Sequence, residues 1–298
     1  MSGNNKPLVS IVTPSYNQGQ FIERTILSVL RQDYPNIEYI VLDSLSPDET
    51  GGVLDRYAKD ITVLVREKDK GQADAINKGL ARSTGHIMAY LNADDCFASP
   101  SVVSEAVQAF LSQSQPDVVY GRRYYIDPAG HFMRSYPYRP FDNALNHKTN
   151  VIPQECTFWI RKIYEASGGF VNAEYNFAMD YEMWLRFAAH GAKIESIDKV
   201  FGLFRVQENQ KSLTIWRQTG LPEIAKLQEK YAGVSTRPGD MEALHESYYY
   251  GVDRIAHPHE HAVALRLWEA QTNSTRKSLA DTPIDHWVFQ QLAGLQST

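Results

Sequence analysis

Cysteine is scarce: Cys96 and Cys156 are the only two in 298 residues. The number excludes a disulfide framework, and the absence of any CxxC spacing excludes a zinc site built on paired thiolates. Two reduced thiols in an intracellular protein are expected. No run of about 18 apolar residues occurs, so a spanning helix is not expected. The first residues, MSGNNKPLVSIVT, pass from polar directly into strand-like sequence, so a secretory signal is not expected either. Basic residues are not in excess: 30 Lys+Arg face 35 Asp+Glu, a formal net charge of -5. A nucleic-acid binder held by bulk charge is thereby excluded, whereas a local basic patch is compatible with the count. Also missing are GxGxxG, GxxxxGK[ST] and GxSxG, which removes the dinucleotide fingerprint, the P-loop and the nucleophile elbow.

What is present is a folded composition, 43% hydrophobic and 22% charged, at a length suited to one large α/β domain or a domain with an appendage. The first 120 residues alternate strands and helices. Strands are read at 8–13 (LVSIVT), 37–42 (IEYIVL), 61–65 (ITVLV) and 86–91 (HIMAYL). Helices are read after the first strand, with Ile22, Ile26, Val29 and Leu30 as one apolar stripe, and near 53–58 and 72–81. Such alternation predicts a mostly parallel, Rossmann-like sheet flanked by helices. A further helix at 101–111, a strand DVVYG and a hairpin over 124–134 turning at Asp127-Pro128-Ala129-Gly130 follow. Residues 150–186 are dense in aromatics, which belong more often to a core than to a binding platform. From Trp216 onward the pattern is helical and polar, an appendage of residues 214–298.

Ligands of parallel sheets sit outside the carboxyl ends of the strands. The segments to inspect are therefore TPSYN (13–17), DSLSPDE (43–49), REKDKGQ (66–72) and NADD (92–95). Asn92-Ala93-Asp94-Asp95 admits two readings: carboxylates holding a hard divalent cation, or Asp95 or Ser99 capping the next helix. Asp180 begins a helix whose Met179, Met183 and Phe187 recur on one face, so it suits the helix dipole as well as a site. Asp180 and Glu182 are two apart, and at most one can point into a given pocket. The histidines of HPHEH (257–261) alternate around a helix start led by Pro258 and do not share a face, against zinc.

Taken in order, VSIVTPSYNQGQFIERTILSVLRQ (9–32), IEYIVLDSLSPDET (37–50), EKDKGQADAINKGLARSTGHIMAYLNADD (67–95), IPQECTFWIRKIYEASGGF (152–170) and AMDYEMWLRFA (178–188) resemble family 2 glycosyltransferases. These are inverting enzymes of the GT-A fold that use nucleotide-diphosphate sugars. The resemblance covers about residues 7–213, and it divides the domain into a nucleotide half (7–120) and an acceptor half (121–213). It implies Thr13, Pro14 and Tyr16 against the nucleoside, and Asp43 on the base, commonly uracil. Lys70, Asp74, Asn92 and Ala93 then lie along the donor. Asp94, with Asp95 as a second candidate, holds Mg or Mn, and Asp180 is the catalytic base. Gln154, Glu155 and Trp184 fall on the acceptor side.

Three positions depart from the family pattern. Asn92 stands where Asp is frequent, Asp43-Ser44-Leu45-Ser46 replaces a glycine-containing loop, and Gln207 replaces a common His. The resemblance implies a cytoplasmic enzyme of surface-polysaccharide assembly. Its partners would be a UDP-type donor and a carbohydrate or lipid-linked carbohydrate acceptor, with no nucleic acid and with peripheral contact at the inner membrane face. The competing reading is a non-catalytic nucleotide-sugar-binding protein on the same fold, which the two retained aspartates, Asp94 and Asp180, oppose. A dehydrogenase is disfavoured because TPSYNQGQ follows the first strand where a glycine fingerprint would stand.

Overall fold

The computed structural model describes residues 6–135 and 140–233. The HPHEH cluster and most of the polar helical tail lie outside them. Strands Val9–Ser15 (β1), Ile37–Asp43 (β2), Val63–Arg66 (β3) and Ile87–Tyr90 (β4) alternate with helices Ile22–Leu30 (α1), Thr50–Tyr57 (α2) and Gln72–Arg82 (α3). These four strands run parallel in the order β3-β2-β1-β4. Both sheet faces are covered, which is why the strands read as unbroken apolar runs. Successive residues point to opposite layers. Ile11, Val41 and Ala89 pack with α1 residues Ile22 and Ile26, while Val12, Ile40, Leu42 and Met88 pack with α3 residues Ile76 and Leu80.

Beyond β4 come Cys96–Phe97 (β5), Val102–Phe110 (α4), Val118–Ile126 (β6), Phe132–Ser135 (β7), Asn143–Asn146 (α5) and Thr157–Ile160 (β8). Arg161–Ala166 (α6), Met179–Ala189 (α7), Ile194–Arg205 (β9), Lys211–Thr214 (α8) and Leu221–Ala232 (α9) complete the described chain. Here the sheet becomes mixed. β8 inserts antiparallel between β4 and β6, β9 runs parallel to β6, and β5 pairs antiparallel with β9. The β6–β7 hairpin turns where the sequence predicts, with the Gly130 N–H donating to the Asp127 carbonyl. A turn that short leaves only antiparallel pairing, because a parallel neighbour needs a crossover.

Most of the aromatic segment is core, as composition suggests: Trp159, Trp184 and Phe187 are fully buried, with Trp184 edge-on to each of the other two and Trp159 tilted against Phe187. α9 adds Leu221, Ile224 and Leu227 to this same core. At Gly79 a Cβ would stand 2.4 Å from a Val12 methyl carbon and 2.7 Å from a Leu42 methyl carbon. Glycine there lets α3 settle directly on the sheet, and α3 begins at the larger of the two cavities described next. No helix among the described residues is long and apolar enough to cross a membrane.

Candidate functional site

Two cavities adjoin at the carboxyl ends of the parallel strands. The larger, about 710 Å³, is lined by Pro14 and Tyr16 beyond β1, Ser44 beyond β2, the first turn of α3 (Gly71, Gln72, Ala75) and residues 92–95. The smaller, about 340 Å³, is lined by Tyr90, Arg123, Asn150, Gln154, Glu155 and Asp180, among others. Gln72, Asn92, Phe204 and residues 210–212 border both.

A chain of carboxamides forms the shared wall. Gln72 Nε2 donates to Asn92 Oδ1 at 2.7 Å, Asn92 Nδ2 donates to Gln154 Oε1 at 3.0 Å, and Gln154 Nε2 donates to the Tyr90 carbonyl at 2.6 Å. An ionised aspartate at 92 would accept from Gln72 but would have no N–H to give Gln154. The departure to Asn92 thus supplies the wall with a donor toward Gln154. It also keeps a third carboxylate away from Asp94 and Asp95.

Those two aspartates have different surroundings. Asp95 is 2% exposed, and its Oδ1 accepts from the Arg205 N–H at 2.9 Å. It makes no helix cap. Burial, with Asp94 and Glu155 nearby, pushes its carboxyl well above the usual range. Asp94 lines the larger cavity. Its Oδ2 accepts from Gln207 Nε2 at 3.1 Å, and its carbonyl accepts from Arg205 Nε at 2.9 Å. Burial raises its carboxyl too, against the lowering effects of Gln207 and Arg205. Arg205 itself is 1% exposed and donates further to the Asp127 and Pro128 carbonyls of the hairpin turn. Among the described residues no group of three or more His, Cys, Asp or Glu could hold a metal ion unaided.

Asp180 opens α7 and lines the smaller cavity. One oxygen, Oδ1, accepts from the N–H of the next residue, Tyr181, at 2.8 Å; the N-cap position is Ala178, whose own side chain makes no cap. The other, Oδ2, accepts from Asn150 Nδ2 at 3.3 Å. Burial raises this carboxyl to about 6, with Arg123 and the backbone N–H groups opposing the rise. A carboxylate poised there is ionised at neutral pH yet basic enough to take a proton. Glu182, two residues on, turns away into a buried ion pair with Arg186 at 3.1 Å and accepts from the Tyr231 hydroxyl. Only one of the two acids faces the cavity, as helix geometry requires.

The other expected residues fall in distinct places. Pro14, Tyr16 and Ala93 line the larger cavity; Thr13 lies beneath, accepting from the Tyr39 hydroxyl at 3.2 Å. Asp43 is buried at the end of β2 and accepts from the Ser46 N–H and hydroxyl. Asp74 accepts from the Lys70 N–H at 2.9 Å and pairs with Lys78. The backbone hydrogen bond is the main cause that lowers its carboxyl. The cavity wall in this loop is made by Lys68, Asp69, Gly71 and Gln72. Gly71 has φ 110°, a left-handed conformation that glycine accommodates without strain. Gln154 and Glu155 line the smaller cavity, whereas Trp184 is packed in the core behind it.

Sequence reasoning passed over Arg123, Tyr125, Arg134, Asn150, Arg205 and Lys211. Arg134 was not legible from the turn alone, since a register shift between Tyr125 and Ile126 puts Arg134, in place of Met133, opposite Tyr125. β9 carried no legible signal, and without it Arg205 and Gln207 could not be brought to Asp94.

The model of the family described as "Glycosyl transferase family 2" matches residues 10–168. The Bacillus subtilis glycosyltransferase TuaG, named for teichuronic acid biosynthesis, is 45% identical over 95 residues, 31% of this chain and 38% of TuaG. The chain thus spans well under half of that relative. Among solved structures, S. aureus TarS (residues 1–349, with UDP-GlcNAc) aligns with a TM-score of 0.62 at 15% identity, covering 88% of this chain and 77% of TarS. The mannosyltransferase PcManGT from Pyrobaculum calidifontis, with GDP-Man and Mn2+, aligns with a TM-score of 0.60 at 21% identity, covering 99% and 82%. These two likenesses show the GT-A fold. The family model spans more than half of the sequence and takes in the strand-end loops of the larger cavity, and the chain belongs to glycosyl transferase family 2.

Proposed function

We propose that the protein moves a sugar from a nucleoside-diphosphate donor to an acceptor hydroxyl with inversion, with a divalent cation at the donor. One observation carries this reading. Asp94 and Asp180 line two adjoining cavities that share the Gln72–Asn92–Gln154 wall. In-line displacement needs one group to receive the acceptor's proton and positive charge where the diphosphate departs.

Asp180 is the base: its carboxyl, held at about 6, takes the acceptor proton at neutral pH, and Asn150 holds its Oδ2 toward that task. The larger cavity holds the donor, with Tyr16 against the nucleoside; the family resemblance assigns the base to Asp43, which here accepts from Ser46, and favours a UDP type. The first turn of α3 offers its N-terminal N–H groups to the diphosphate. Asp94 suits Mg or Mn, being an oxygen ligand oriented by Gln207, with phosphate and water oxygens supplying the rest. When bound, that cation neutralises the leaving diphosphate.

PcManGT's Mn2+ and GDP-Man and TarS's UDP-GlcNAc support the cation and the nucleotide sugar. TuaG's name supports a place in surface-polysaccharide assembly, with a carbohydrate or lipid-linked acceptor presented at the inner membrane face.

Thermal shift with UDP- and GDP-sugars tests the donor side. At a hundredfold excess over Kd, a ligand of the native state is expected to raise Tm by roughly 5–10 °C, and more so with Mn. No response to any nucleoside diphosphate would sink the reading. Slow donor hydrolysis with Mn separates a transferase from a binding protein that only retains nucleotide.

A further inference from the structure

The segment from α8 through α9 lies beyond residue 168, where the family match ends, yet it closes on the start of α7, where Asp180 stands. The N-cap residue of α7 is Ala178, whose methyl cannot accept a hydrogen bond. The backbone N–H groups leading into the helix are taken from outside. Glu223, in the first turn of α9, receives three in succession: Oε1 accepts from Asn176 at 2.8 Å, and Oε2 accepts from Phe177 and from Ala178, each at 2.9 Å.

Other contacts fasten the same two segments. Lys211 of α8 donates to the carbonyl and Oδ1 of Asn176. Between α8 and α9 the chain presses on Phe177, whose ring lies 5.3 Å from that of Trp216. A Cβ on Gly220 would stand 2.9 Å from a Phe177 ring carbon. Further into α7, Glu182 accepts from the Tyr231 hydroxyl of α9 at 2.8 Å.

The fastened residues are cavity wall. Asn176 lines the larger cavity, and Phe177, Ala178, Met179 and Asp180 line the smaller, whereas Glu223 lines neither and is not placed to touch a substrate. Open N–H groups at a helix start attract carboxylate, and Asp180 already gives Oδ1 to Tyr181. A second acid brought in from α9 satisfies the three N–H groups and leaves the other oxygen of Asp180 to Asn150. We propose that Glu223 is a positioning residue for Asp180: it fixes the main chain of residues 176–178 from α9, and with it the place and direction of the base. This rests on the reading of Asp180 as the base, and it gives the first part of the helical appendage a task.

The test is nucleoside-diphosphate release from a panel of UDP- and GDP-sugars with Mn, water serving as acceptor. The full chain is compared as wild type, Glu223→Ala, Glu223→Gln, Asp180→Asn and the double variant Asp180→Asn with Glu223→Ala. Glu223 is half-buried, and Leu221, Ile224 and Leu227 still anchor α9, so the changes at 223 are expected to fold, as near-UV circular dichroism would verify. A misplacement of about 1 Å costs on the order of 10²-fold. Glu223→Ala should therefore lower kcat about 30- to 100-fold while donor KM stays within about threefold. Glu223→Gln keeps the shape and one accepting oxygen, and should lose only about 3- to 10-fold, again in kcat; it decides the matter alone if the alanine variant does not fold. In Asp180→Asn, removing Glu223 as well should change the residual rate by less than about threefold, because no base is left to position.

Wild-type kcat in the folded variants at 223, or a loss confined to donor KM, overturns the proposal. So does a loss that multiplies undiminished onto that of Asp180→Asn. The outcomes keep the two readings apart. A slow Asp180→Asn beside a Glu223→Ala as fast as wild type removes the positioning role alone. An Asp180→Asn as fast as wild type, or a wild type that hydrolyses no donor, refutes the reading of the base and the role of Glu223 with it.

Discussion

Replacing Asp180 by Asn should make the protein both inactive and more stable. The two side chains have the same shape, and an Asn Oδ1 still accepts the Tyr181 N–H that Asp180 accepts at 2.8 Å. What changes is the charge. A carboxyl held at about 6 instead of its ordinary 3.8 carries up to about 3 kcal/mol of unfavourable charge burial at neutral pH. The carboxylate borders a cavity, so part of that cost is relieved by water.

The folded state binds the proton more tightly than the unfolded state does. This residue's contribution to stability therefore falls as pH rises from about 3.8 to 6 and is flat beyond. Asp180→Asn should accordingly raise Tm by several degrees at pH 7.5, at about 2–4 °C per kcal/mol for a chain of this size. The gain should vanish below pH 4, where the native carboxyl is neutral. Transfer should meanwhile drop about 10²- to 10⁴-fold, the usual worth of a general base, with nucleotide-sugar affinity nearly unchanged. In the wild type the rate should rise through pH 6 as the base ionises. Differential scanning fluorimetry across pH, beside steady-state nucleoside-diphosphate release, reads both effects. A variant within tenfold of wild-type turnover, or one destabilised at pH 7.5, would refute the reasoning.

Asp94→Asn should leave metal-free nucleotide binding largely intact while lowering the Mn-dependent gain in affinity tenfold or more, by calorimetry with and without chelator; an unchanged Mn response would count against Asp94 as the ligand. Gly79→Ala should cost about 1–3 kcal/mol in urea denaturation, because its methyl would meet Val12 and Leu42; a neutral result would mean that α3 shifts freely on the sheet.

The nucleotide half was legible because its signals are local. β1 to β4 are buried on both faces and punctuated by helices of clear period, so Val12 and Ile76 reveal their layer from sequence alone. The helix that carries Asp180 was legible for a similar reason, through the recurrence of Met179, Met183 and Phe187, whereas the assignment of Asp180 to a site came from the family resemblance alone. The remainder depends on partners distant in the chain. Gln207 meets Asp94 across 113 positions, through β9, a strand whose charged Glu195, Asp198 and Lys199 obscure its period. Its pairing with β6 also shifts register between Tyr120 and Arg123, where Gly121 lies against Phe201. Alternation counted along the sequence cannot anticipate that offset. Asp74 shows the converse limit: its type and place fit a ligand contact, yet its carboxylate caps the backbone of its own loop at Lys70.

Arg205 has a consequence for how such an enzyme changes over generations. Its one guanidinium holds the carbonyl of Asp94 and those of Asp127 and Pro128 in the hairpin turn. The hairpin's second strand bears Arg134, which lines the smaller cavity, so a wall of that cavity is fastened to the segment that bears Asp94. Exchange of the hairpin between homologues is then not a modular event. A transplanted turn must present its carbonyls to Arg205, or the backbone around Asp94 loses its anchor, and change in this cavity wall has to arise from side chains on a turn whose main chain stays in place.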